Sequence, residues 1–171
     1  MKLSVYNKRS LLLICLLLLV QAYGQQKSDY FDFWKDGVWQ SEITIYNKDT
    51  IVEKDHFLVQ KLEGKNAFQE EWKIFIGDDQ FVNAEVFRAF DQETKTWKLF
   101  YVDDLNAQTW HSQITDGKLY FHKTFNFKGK TFYSRQAWSL RQDGSVLRTI
   151  ERSEDNTTWN PRYWQLFKQI K

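Results

Sequence analysis

Nine clusters of turn-forming residues cut this chain into short pieces. They are Asn47-Lys48-Asp49, Glu63-Gly64-Lys65-Asn66, Gly77-Asp78-Asp79, Asp91-Gln92-Glu93-Thr94, Asp104-Leu105-Asn106, Asp116-Gly117, Lys128-Gly129, Asp143-Gly144 and Glu154-Asp155-Asn156. The gaps between them are mostly 8–14 residues, and the intervals are rich in β-branched and aromatic residues. Pieces of that length and composition suit strands, not helices. Asp-Gly between such runs is a hairpin signal, and it occurs twice.

The spacing predicts strands at roughly 38–46, 50–62, 67–76, 80–90, 96–103, 107–114, 118–127, 130–141, 145–152 and 160–169. Several show a two-residue period. Trp39/Ser41/Ile43/Ile45 share a face, as do Phe68/Glu70/Trp72/Ile74/Ile76, Leu119/Phe121/Lys123/Phe125 and Phe132/Ser134/Gln136/Trp138/Leu140. No stretch after residue 30 keeps a helical period for three turns, although 29–35 suits one brief helical turn. Pro161, the only proline, falls at the start of the last strand, where a missing N–H is tolerated. There is no repeat and no linker. The expectation is one all-β domain over 25–171, an antiparallel up-and-down β-barrel of about 8–10 strands, because closure removes exposed edges. A sandwich is the alternative, and the short, even connections favour the meander.

Residues 1–24 read as an address. Lys2, Lys8 and Arg9 precede an unbroken apolar run from Leu11 to Val20, and Ala22-Tyr23-Gly24 offers small residues for cleavage after Gly24. This is the pattern of a secretory signal peptide, so the chain is expected to be exported, periplasmic or secreted. Ten apolar residues span about 15 Å as a helix, half the bilayer core, so no membrane span is expected. Cys15 follows Ile14 with little of the apolar run before it, which suits a filler of that run rather than a lipidated cysteine.

Cleavage would change the charge. The whole chain carries 24 basic and 22 acidic residues. Without residues 1–24 the balance is 21 to 22, and no cysteine remains. A near-neutral chain is not a general nucleic-acid binder, and it must be held by its core rather than by disulfides.

Phe31-Asp32-Phe33-Trp34 followed by Gly37-Val38-Trp39 resembles the opening of a family of secreted bacterial proteins of unknown function. Further segments resemble that family in order along the chain: Arg88-Ala89-Phe90-Asp91 with Trp97 and Tyr101-Val102-Asp103, Asp116-Gly117-Lys118-Leu119, and Asp143-Gly144-Ser145-Val146 with Glu151, Ser153, Asp155 and Thr158-Trp159. Gly37-Val38-Trp39 also resembles the G-x-W of lipocalins, within the calycin barrels. There an Arg from near the end of the barrel packs across that Trp, and the resemblance implies that role for Arg162, with Gly37 and Trp39 as structural residues. It implies a calycin-like, lipocalin-like fold and no activity.

No phosphate loop, G-x-S-x-G elbow, H-E-x-x-H or EF-hand pattern is present. His56, His111 and His122 each lie mid-strand among polar neighbours, so surface or wall positions are expected and no cofactor or metal is implied. Polar residues in register with large apolar ones are more informative. Glu70 alternates with Trp72, Gln136 with Trp138, Asp103 with Tyr101 and Trp97, and Glu151 with Thr149 and Ser153. If these faces point inward they line a cavity with a few buried polar groups, the usual make-up of a small-molecule site. A buried Glu70 or Glu151 would need Arg88, Arg135 or Arg148 as partner. Trp72, Trp110 and Trp138 are candidates for the lining, and Trp34, Trp39 and Trp159 for the core. The candidate ligand-binding set is therefore Glu70, Trp72, Arg88, Tyr101, Trp110, Gln136, Trp138 and Glu151, for a small apolar or amphipathic molecule. A barrel enzyme using Glu70 or Glu151 as acid/base, and a module binding proteins through its outer face, are the alternatives.

Overall fold

The computed structural model describes residues 26–46, 49–51, 55–78 and 80–170. The expected signal peptide, with Cys15, lies outside the described residues. Eleven strands follow one another: β1 (Gly37–Tyr46), β2 (Asp49–Ile51), β3 (His56–Lys61), β4 (Ala67–Gly77), β5 (Gln80–Asp91), β6 (Thr96–Asp103), β7 (Ala107–Thr115), β8 (Lys118–Phe127), β9 (Lys130–Leu140), β10 (Val146–Ser153) and β11 (Asn160–Gln169). Each pairs antiparallel with its neighbour in sequence, except that β2 and β3 both pair with β1 and not with each other. Then β11 pairs back to β1, Trp39 opposite Gln169 and Tyr46 opposite Tyr163. The result is a closed up-and-down barrel of ten strands, with β2 extending the β3 side of the first hairpin.

Local chemistry sets the turns. Asp116-Gly117 and Lys128-Gly129 are two-residue connections with positive φ at both positions (52° and 74°, 50° and 76°). That is the turn whose twist matches paired strands, and it is why glycine holds the second place. The second Asp-Gly differs from expectation. Asp143-Gly144 sits in a five-residue loop between Leu140 and Val146, where the Asp143 carboxylate accepts from Ser145 N (3.1 Å) and Ser145 Oγ (2.6 Å).

The face reading of β1 also needs correction. A bulge between Ser41 and Ile43 shifts its register against β11. Trp39, Ser41 and Thr44 are buried, while Ile43 is 46% exposed. The extra residue flips every later side chain.

One end of the barrel is closed by the chain itself. Residues 28–33 form consecutive turns, with Asp32 N donating to Asp29 O (3.0 Å) and Trp34 N to Phe31 O (2.9 Å). This segment turns two rings into the floor. Phe31 lies edge-on to Trp97 at 4.9 Å and stacked on Phe121 at 5.9 Å. Trp34 meets Trp39 at 4.8 Å, Phe57 at 5.3 Å and Trp138 at 5.3 Å. Gln26 pins the segment, its Oε1 accepting from Trp97 N (2.7 Å) and Ser112 Oγ (2.7 Å). Aromatic packing thus fills the lower half of the barrel, and the site lies above it.

Candidate functional site

Inward-facing positions of seven strands surround a cavity of about 280 Å³. Trp72, Ile74, Val86, Leu99, Trp110, Trp138 and Ile150 supply apolar wall, and Asp55, Glu70, Arg88, Tyr101, Gln108, Gln136, Arg148 and Tyr163 supply polar groups. A second compartment of about 450 Å³ shares Trp110 and Ile150 with it and continues toward the opposite end, between Phe125, Phe127, Lys123, Arg152 and Arg162.

The base of the cavity is a buried ion pair. Arg88 and Glu70 are 1% and 0% exposed. Arg88 Nε stands 2.8 Å from Glu70 Oε1, and Nη2 donates to Oε2 at 3.2 Å. Trp72 Nε1 donates to the same Oε2 at 2.9 Å. The guanidinium also lies over Phe31 (5.0 Å), Phe121 (5.7 Å) and Trp138 (4.8 Å), so floor and wall share one cation. Burial lowers the pKa of Arg88, and the charge of Glu70 opposes that shift.

One layer up stands Arg148. Its guanidinium lies over Trp72 (5.2 Å) and Trp138 (5.1 Å). Nε donates to Gln136 Oε1 at 3.1 Å and Nη1 to Gln165 Oε1 at 3.2 Å. Arg148 lies deep in the barrel yet keeps some accessible surface, because part of it lines the cavity. Gln165 Nε2 donates onward to Asp55 Oδ2 at 2.6 Å, and Asp55 Oδ1 accepts from Phe75 N at 2.7 Å. Tyr101 donates to Asp103 Oδ2 at 2.7 Å, and burial with this bond raises the phenol's pKa.

Of the eight residues expected from the sequence, Glu70, Trp72, Arg88, Tyr101, Trp110, Gln136 and Trp138 line this one cavity. Glu151 does not. It lies on the outer wall, its Oε2 2.6 Å from Arg135 Nε. Arg135 is held between the rings of Tyr120 and Trp159, 4.3 Å from each. Trp159 is therefore half-buried on that outer wall and not in the core. The inward face of β10 is instead Val146, Arg148, Ile150 and Arg152.

The two structural expectations at β1 part company. Gly37 opens the strand at φ 131°, where glycine is favoured. Trp39 is buried against Trp34, and its Nε1 donates to Lys35 O at 3.1 Å. Arg162 does not cross it: Gln169 is opposite Trp39, and Arg162 lines the far compartment, some seven residues or roughly 23 Å along β11.

Gln165, Asp55, Tyr163 and Gln108 belong to the site without having been expected there, and Arg148, weighed only as a partner for a buried Glu70 or Glu151, lines the cavity in its own right. The signal for Arg148 was its place between Val146 and Ile150 in a two-residue period. His111 and His122 are direct cross-strand partners, with Arg135 opposite His122 and Glu151 opposite Arg135. They form one row on the outer wall. Among the described residues no group of three or more His, Cys, Asp or Glu is placed to hold a metal ion. No helix of the described residues is long and apolar enough to cross a membrane. The chain matches no family model and no curated protein.

Proposed function

We propose that this chain is an exported, calycin-like barrel that binds a small apolar or amphipathic molecule in its interior. One observation carries the reading. The barrel is packed solid only in its aromatic lower half, and the half above keeps a cavity with an apolar wall and a few convergent polar groups. The floor segment blocks one end, so entry is from the other, through the compartment of Lys123, Phe125 and Arg152. The leader-like residues 1–24 support export. The acid/base alternative loses support at Glu70, which is held by Arg88 and Trp72 as a structural anion.

Native mass spectrometry of the protein recovered from the envelope of its own cells tests export and occupancy together. The expected mass lacks residues 1–24 and carries a small-molecule adduct. Ile150→Trp, which puts an indole between the two compartments, is expected to remove that adduct. A chain that keeps its first 24 residues counts against export. A bare chain, or an adduct that persists in Ile150→Trp, counts against the cavity.

A further inference from the structure

We infer that the ligand is an anionic amphiphile whose acid group lies against Arg148, with Lys123 and Arg152 lining its way in. The inference rests on the cavity reading above and names the ligand's chemistry.

Charge separates the two inward-facing arginines. Arg88 is neutralised by Glu70. Arg148 has no such contact: among the described residues no carboxylate comes within ion-pair distance of it, and Asp55 and Glu70 act on its charge only from farther off. Its two acceptors are the neutral amide oxygens of Gln136 and Gln165. The Gln165 amide cannot turn over freely, because its nitrogen is committed to Asp55 at 2.6 Å. Asp55 therefore orients the acceptor while its own charge stays one side chain away. The guanidinium is held by two rings and two amides, with part of its surface on the cavity. An orientation so determined, with no carboxylate in contact, suits an incoming carboxylate or similar acid, which a guanidinium can grip with two parallel hydrogen bonds.

Two further cations point the same way. Lys123 Nζ donates to Gln108 Oε1 at 2.6 Å and lies over Trp110 (4.7 Å) and Phe125 (5.5 Å). Arg152 lies over Phe132 (3.8 Å) and Phe125 (5.2 Å). Neither makes an ion pair among the described residues. Burial, and then the charge of Arg148, lower the pKa of the Lys123 ammonium, as expected where two cations share one space. Cations withdrawn from water without a counter-ion are costly. A bound anion removes that cost, and an interior and entrance that carry Arg148, Lys123 and Arg152 reject amines of the same shape.

A matched set of ten-carbon probes tests this: decanoate, decanol and decylammonium, titrated calorimetrically into the wild-type chain and into Arg148→Met. Decanoate is expected to bind at least tenfold more tightly than decanol, and decylammonium most weakly. Arg148→Met should erase the preference for the acid while decanol still binds. Equal binding of decanoate and decanol, a preference for decylammonium, or a preference unchanged in Arg148→Met would overturn the inference and leave the cavity reading standing. Binding of none of the three to the wild-type chain would overturn the cavity reading itself. If Arg148→Met does not fold, the ranking of the three probes on the wild-type chain decides by itself.

Discussion

Glu70 carries more of the molecule than a carboxylate on a strand usually does. It neutralises a guanidinium that touches both the floor and the cavity wall, and both groups are almost wholly shut off from bulk solvent. Removing one partner of such a pair leaves a buried charge. Glu70→Gln is therefore expected to cost about 3–5 kcal/mol, read from the midpoint of urea unfolding. Glu70→Gln combined with Arg88→Met should be less destabilised than Glu70→Gln alone, because the stranded charge goes too. A loss under about 1 kcal/mol in Glu70→Gln would mean that water or a neighbour reaches Arg88. The sequence already marked this pair through period two: Glu70 sits between Phe68 and Trp72, two rings that had to face the core. Glu151 offered no such neighbours, only Thr149 and Ser153 on its face. β10 is polar on both sides, because its inward side carries Arg148 and Arg152. Alternation alone therefore could not tell its two faces apart.

At the scale of elements, strand limits were legible because turn chemistry is local. The expected strand at 50–62 is two in the structure, β2 and β3, because each pairs with a different part of β1; the other strands start and end within a few residues of the clusters that predicted them. The β1 bulge was not legible, since it answers to its fit against β11 far along the chain. Nor was the row His111–His122–Arg135–Glu151, which exists only through the registers of β7 to β10. That row has a consequence for acid stability. Burial first, and then Arg135, lower the pKa of His122 below its ordinary value. Above pH about 6.5 the imidazole is neutral in both folded and unfolded chains, and the full contribution to stability is present. Below that, the unfolded chain takes up the proton first. Stability then falls with pH until the folded His122 protonates as well. His122→Gln should remove this slope, so the stability difference between wild type and variant should shift in the variant's favour between pH 7.5 and 5. A difference that stays constant over that range would show that His122 titrates alike in both states.

At the scale of the whole molecule, the barrel owes its uneven filling to a segment that is not part of the sheet. Phe31 and Trp34 reach the floor from residues 26–36 and close the lower half around Arg88, Trp97 and Phe57. Phe31→Ala and Trp34→Ala should each cost about 3–5 kcal/mol, again by urea unfolding. Together they approach the entire stability of an ordinary domain, about 5–15 kcal/mol. The double variant is expected to keep far-ultraviolet strand signal and lose the near-ultraviolet aromatic signal. Retention of the aromatic signal would show that the strands fill the floor unaided. The run of short strands with short, even connections pointed to a barrel. Which end the opening segment plugs, and so where the cavity lies, depends on rings meeting across the fold and was not readable along the chain.

The seam between β1 and β11 has a last implication. Ile170 N donates to Val38 O at 2.8 Å, so the two ends of the sheet lie side by side. Around such a ring the strand order is cyclic, and the native break in the backbone is one choice among equivalent ones. The chain is a natural subject for circular permutation, with β11 tethered to the plug by a flexible linker long enough to cross the barrel end to Gln26, at β6 and β7, and new termini opened at Asp116-Gly117 on the same rim.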